Sequence, residues 1–182
     1  MDNPVVLLAG DPSWWHAGFA VLECEDRRVQ LVEVSSCRVP VEKKMPKELV
    51  SGIVIDFWYS FVREMKMMHT PNIFVLERPI FPSGGFNQSA QAVGMAMGAM
   101  VAGWGKAGSY YELTASEARK KAIGTILKQD GNKKEVVKKR LLSMYKEWTD
   151  ILIDQDFDVT DAVCTGLGQL VKLELIDAIG GR

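Results

Sequence analysis

Apolar residues arrive first as a continuous run, Val5 to Gly10, that ends on Asp11. A run without alternation predicts a strand buried on both faces, one that delivers a carboxylate at its C-terminal end. Gly18 to Cys24 and Arg28 to Arg38 predict two further strands about the charged turn Glu25-Asp26-Arg27. From Pro46 the period changes: Leu49, Ile53, Phe57, Phe61 and Met65 recur at spacing four and predict a helix to about Met67 with one broad apolar stripe. Pro71-Asn72 breaks that pattern, and Ile73 to Leu76 is a second short apolar run, ending on Glu77.

Pro79 to Gly85 reads as a loop, and Asn87 to Trp104 as a helix loaded with Ala, Met and Gly. No charge lies between Arg78 and Lys106, yet the unbroken apolar part, Ala92 to Trp104, has only 13 residues. A bilayer requires about 20, so the expectation is a core helix packed tightly on the sheet through Gly94 and Gly98, and no membrane association. Ser109 to Leu113 predicts a fifth strand. Thr114 with Glu117 forms a capping box that opens a short helix to about Ile123. After a polar loop, Lys128 to Asn132, a helix is expected from Lys133 to Trp148, and a closing helix from about Asp158 to Ala178. This order describes an α/β layer fold with a mixed five-stranded sheet, a meander followed by helical crossovers. In such a sheet the ends of the first and fourth strands lie side by side, which makes Asp11 and Glu77 neighbours.

Composition leaves this picture in place. The 182 residues, 47% hydrophobic and 25% charged, suit one globular domain spanning 1–182 and exclude disordered, collagenous and disulfide-scaffold classes. Cys24, Cys37 and Cys164 are widely spaced without a C-x-x-C, and no charged-then-apolar leader precedes the first strand, so a cytoplasmic setting is expected. His16 and His69 are far apart and lack cysteine neighbours, which argues against a zinc site.

Charge adds a direction. Between Glu117 and Lys146 ten basic residues face three acidic ones, a local excess of +7 in a chain of net charge −1. Glu147, Asp150, Asp154, Asp156, Asp158 and Asp161 follow at once. A cationic footprint beside clustered carboxylates suits an enzyme that binds a polyanion and holds divalent cations. Taken alone, the basic run also reads as the solvated face of an amphipathic helix.

Two carboxylates at the ends of buried strands cost several kcal/mol unless something cationic compensates them. Asp158 and Asp161, three apart at a helix start, add two more on one face. Each acid has a structural reading of its own: Asp11 as a turn residue before Pro12, Glu77 as a partner of Arg78 or a lysine, Asp158 and Asp161 as helix-capping acids. Four convergent acids with no His or Cys partner point instead to Mg2+ or Mn2+, hard ions that take oxygen ligands. Such a site holds two ions about 3.5 to 4 Å apart, one activating water and the other stabilising a leaving oxygen.

These motifs resemble those of the RuvC-type Holliday junction resolvases, within the ribonuclease H-like nuclease superfamily. Gly10-Asp11-Pro12 with Gly18-Phe19 is similar to the family's first-strand motif, and Val75-Leu76-Glu77 to its fourth-strand glutamate motif. Thr114 to Gly124 with Asn132-Lys133-Lys134-Glu135-Val136 resembles its DNA-contacting stretch, and Asp158-Val159-Thr160-Asp161-Ala162 its D-x-x-D-A helix start. Ser13 departs from the usual glycine after D-P, and the loop after Glu77 is longer than in bacterial members.

The resemblance implies a ribonuclease H-like sheet with helices on both faces. It makes Asp11, Glu77, Asp158 and Asp161 the catalytic residues and metal ligands for two Mg2+ ions per site, with Mn2+ as substitute. Arg119, Lys120, Lys133 and Lys134 become DNA-binding residues, and Phe81 and Phe86 stand nearest the family's junction wedge. Trp14 and Trp15 have two readings, base stacking and packing. The implied activity is a homodimeric endodeoxyribonuclease that resolves Holliday junctions by paired nicks, leaving a 5′ phosphate and a 3′ hydroxyl. Alternatives are a related nuclease acting on forks, flaps or RNA-DNA hybrids, and a non-catalytic junction-binding protein. Branch-migration or recombination proteins are the expected partners, in a host cytoplasm if the protein is viral, with an organelle a further option.

Overall fold

The computed structural model describes residues 4–41, 45–79, 88–126 and 131–178. β1 (Val5–Asp11), β2 (His16–Glu25) and β3 (Arg28–Arg38) form the antiparallel meander. α1 (Lys47–His69) then crosses to β4 (Ile73–Arg78), which pairs parallel with β1, and α2 (Gln88–Trp104) crosses to β5 (Ser109–Thr114), parallel with β4. The sheet order is therefore β3-β2-β1-β4-β5. α3 (Ala115–Ile123), α4 (Lys133–Met144), α5 (Thr149–Leu152) and α6 (Phe157–Lys172) follow.

Strand alternation sends successive side chains to two separate cores. Leu7, Ala9, Ala20, Leu22, Ile73 and Val75 pack against α3 and α6, whereas Leu8, Phe19, Val21, Phe74 and Leu76 pack against α1 and α2. Because both faces are covered, the central strands read as unbroken apolar runs. α6 packs close on the sheet: at Gly166 a Cβ would come within 2.3 Å of Leu22 Cδ1, so any side chain there forces Leu22 to shift.

Four sequence expectations shift. The buried line of α1 is Val54, Trp58, Val62 and Met65, while Leu49 is 60% exposed. Residues at spacing four drift about 40° per step around a helix of 3.6 residues per turn, so the predicted row cannot stay on one face. Gly94 and Gly98 do not pack on the sheet: both are exposed, and a Cβ at either would meet nothing within 4 Å. The inner face of α2 is Ala96, Ala99, Met100 and Trp104, and the close glycine is Gly103, against the Tyr59 carbonyl oxygen of α1.

The helix expected to reach Trp148 stops at Met144, where Tyr145 leaves helical geometry and its ring stacks on Trp148 at 4.0 Å. A short 3-10 turn, Lys146–Trp148, and α5 follow. The closing helix starts at Phe157, behind an Asp156 cap, and ends at Lys172, before the left-handed Glu174. Among the described residues no helix is long and apolar enough to cross a membrane, and the three cysteines are free.

Candidate active site

Parallel pairing of β1 with β4 aligns Gly10 with Leu76, so the next residues, Asp11 and Glu77, emerge together at the C-terminal edge of the sheet. The start of α6 is brought to the same edge by Gly18 of β2. A Cβ there would lie 2.2 Å from the Asp158 carbonyl carbon and 2.4 Å from Val159 N, so only glycine lets strand and helix meet. Asp156 caps α6, its carboxylate accepting from Val159 N–H at 3.0 Å. Asp158 then lies in the first turn and Asp161 in the second.

The four acids share one electrostatic field. Burial, and then repulsion from Glu77, Asp161 and Asp158, lifts the Asp11 carboxyl well above the usual range, with Lys134 opposing. Burial followed by Asp161 pushes Glu77 up to about 7, against the pull of Arg119 and Lys134. Raised carboxyl groups gathered at a sheet edge make this a candidate functional site, because folding alone gains nothing from crowding like charges.

Cations from the protein meet two of the acids. Asp161, only 3% exposed, is held by Arg119 through Nε to Oδ1 at 3.0 Å and Nη2 to Oδ2 at 2.8 Å. Lys134, at the start of α4, approaches Asp158 Oδ1 at 3.5 Å. Asp158 Oδ2 accepts from His16 Nδ1 at 2.8 Å. Among the described residues no three His, Cys, Asp or Glu side chains stand as a ready-made metal cage. Arg119 and Lys134 carry part of the compensation instead. The donor set itself, four oxygen-bearing side chains that repel one another, fits a hard divalent cation.

Beside the acids, Arg119, Lys120 and Lys133 line a cavity of about 240 Å³ with Ser116, Gly124, Thr125 and Ile126. Three cations around one hollow suit phosphate. Asn132 caps α4, accepting from Lys134 N–H, and so fixes where Lys133 and Lys134 leave the helix. Trp14 packs with the α1 and α2 core and its carbonyl accepts from Trp58 Nε1, while Trp15 is 45% exposed. Phe81 and Phe86 lie outside the described residues.

Sequence reasoning sets His16 aside as a poor zinc ligand and does not connect it, Ser36 or Asp156 with the site. The available signal is parity: His16 and Gly18 lie two apart on one strand and therefore face the same helix.

No protein-family profile matches the sequence, and no curated protein matches it. Structures do. The fold is similar to Thermus thermophilus RuvC at 17% identity and TM-score 0.71, covering 96% of this chain and 100% of that one. RuvC of the same organism in complex with a Holliday junction substrate matches at 18% identity and TM-score 0.72, covering 96% and 98%. The yeast mitochondrial Holliday junction resolvase matches at 11% and 0.67, covering 96% and 82%. The chain therefore has the ribonuclease H-like fold of the RuvC-type Holliday junction resolvases.

Proposed function

We propose that this chain is a Mg2+-dependent, structure-selective endodeoxyribonuclease that resolves four-way DNA junctions. The observation that carries this reading is the meeting of Asp11, Glu77, Asp158 and Asp161, from three separate parts of the chain, at one sheet edge beside a cationic cavity. These four residues would hold two Mg2+ ions, or Mn2+ in their place. Bound there, the ions supply an activated water and stabilise the leaving oxygen of a phosphodiester. Asp11, whose carboxyl is raised by all three other acids, would hold the ions together with Glu77, Asp158 and Asp161. Arg119 orients Asp161 and, with Lys120, Lys133 and Lys134, draws in the DNA backbone, giving affinity that falls with salt. Hydrolysis leaves a 5′ phosphate and a 3′ hydroxyl.

Resolution requires two nicks in opposed strands, and the described residues contain one such constellation per chain, so the acting unit is a homodimer. The test is cleavage of a labelled four-way junction by wild type and Asp11→Asn. Loss of cutting with binding retained supports the proposal, and equal cutting overturns it. Parallel fork, flap and RNA-DNA hybrid substrates at matched salt decide the substrate, and preference for any of them over the junction moves the assignment to that structure. Calorimetry without any heat from Mg2+ or Mn2+ would leave a non-catalytic junction-binding protein.

A further inference from the structure

His16 opens β2, and its ring is engaged at both nitrogens. Nδ1 donates to Asp158 Oδ2 at 2.8 Å, while Nε2 stands 2.7 Å from Ser36 Oγ and 3.2 Å from Asp156 Oδ2. Ser36 Oγ in turn donates to Asp156 Oδ2. Three elements thus converge on one imidazole: β2 supplies the ring, β3 the serine, and the start of α6 with its cap both carboxylates. Strand parity and pairing explain the meeting. His16 shares a face with Gly18, whose missing side chain admits the Asp158 backbone, and Ser36 is paired with Gly18 across the sheet. A ring held at both ends cannot turn without breaking its contacts, and Asp158 cannot change rotamer without leaving the ring.

We propose that His16 is a positioning residue that presets the Asp158 carboxylate for a divalent cation, with Ser36 and Asp156 fixing the ring. This inference rests on the reading of Asp158 as a metal-holding carboxylate. Groups that orient a ligand shift metal affinity by about 10- to 100-fold when removed, because the free carboxylate must then be ordered at the moment of binding. Only the hydrogen bond to Oδ2 is needed for this, so a side chain presenting an N–H near the Nδ1 position should substitute for histidine.

The experiment is calorimetric titration of the DNA-free protein with Mn2+, comparing wild type, His16→Leu, His16→Asn and Asp158→Asn, each checked for native melting. Leucine keeps bulk without a donor, and the asparagine amide overlays Nδ1. The expected result is a loss of Mn2+ affinity of about tenfold or more in His16→Leu and in Asp158→Asn, with His16→Asn within about threefold of wild type. Unchanged affinity in His16→Leu beside a weakened Asp158→Asn overturns the role of His16 and leaves the metal site standing. Unchanged affinity in Asp158→Asn removes the metal reading of that residue, and this inference with it. Equal weakening in His16→Leu and His16→Asn also overturns the role, since it would show that the imidazole acts other than through this one donor. If His16→Leu does not fold, Ser36→Ala replaces it. That variant frees the far edge of the ring, and a weakened Mn2+ affinity supports the role where an unchanged one refutes it.

Discussion

Arg119 grips Asp161 with two parallel contacts, 3.0 Å from Nε and 2.8 Å from Nη2, across a carboxylate that is almost wholly buried. Fork-on-fork geometry of this kind fixes both side chains, and it ties α3 to α6 beside the site. The pairing also neutralises one member of a crowded set of acids. Removing the guanidinium leaves a buried anion uncompensated, which costs about 3 kcal/mol. Arg119→Met should therefore lower the melting temperature markedly. Adding Asp161→Asn to that variant should restore much of the stability. A double variant melting no higher than Arg119→Met contradicts this account.

Glu77 gives a pH dependence with a definite sign. Burial, then repulsion from Asp161, raises its carboxyl from 4.5 to about 7 in the folded protein, so the native state holds the proton more tightly than the unfolded chain does. The resulting stability is complete below 4.5 and disappears as pH rises through about 7. Asp11, raised by burial and the same neighbours, acts in the same direction. Metal-free protein should melt at progressively lower temperature across that window, and Glu77→Gln should flatten the fall. A wild-type curve that rises with pH relative to the variant would show the sign to be wrong.

Gly18 should tolerate no side chain. Its Cβ position lies 2.2 Å from Asp158 backbone, so Gly18→Ala must push the start of α6 away from β2. Stability should fall by about 1 to 3 kcal/mol, as for other overpacked sites, and junction cleavage should fall further because Asp158 moves with the helix. Melting curves and cleavage rates measured on the same preparation separate the two effects. Cleavage reduced no more than stability accounts for would contradict the displacement.

Lys120 and Lys133 both line the cationic cavity beside the carboxylates. Lys120→Ala and Lys133→Ala should weaken junction binding without regard to sequence. Each should make the slope of log affinity against log salt shallower by roughly 0.9 for every phosphate it no longer neutralises. Binding isotherms over a salt series report this, and an unchanged slope places the DNA elsewhere.

Much of this is legible in the chain order. Val5–Asp11 and Ile73–Arg78 are recognisable as buried strands because both faces are covered, and a doubly covered strand has no polar positions to alternate with. Their terminal acids are conspicuous for the same reason. Thr114 is readable as a cap because its bond to Glu117 N–H spans three residues. By contrast, the outward placement of Gly94 and Gly98 is hidden, since a glycine in a helix does not disclose which face it lies on. The early stop of α4 is hidden too: it depends on the stack of Tyr145 with Trp148, a packing choice that helix periodicity does not encode.

What the sequence determined by itself was the five strands, the main helices, their order and the acids standing at the ends of β1 and β4, all consequences of burial and backbone geometry over a few neighbouring residues. Only tertiary structure decided which groups face those acids. His16 reaches Asp158 across 142 residues and Arg119 reaches Asp161 across 42, through the seating of α6 and α3 on the sheet. Such partners follow from how closely whole elements approach one another, and that distance is set by packing, at places such as Gly18 and Gly166 where a missing side chain admits a neighbour.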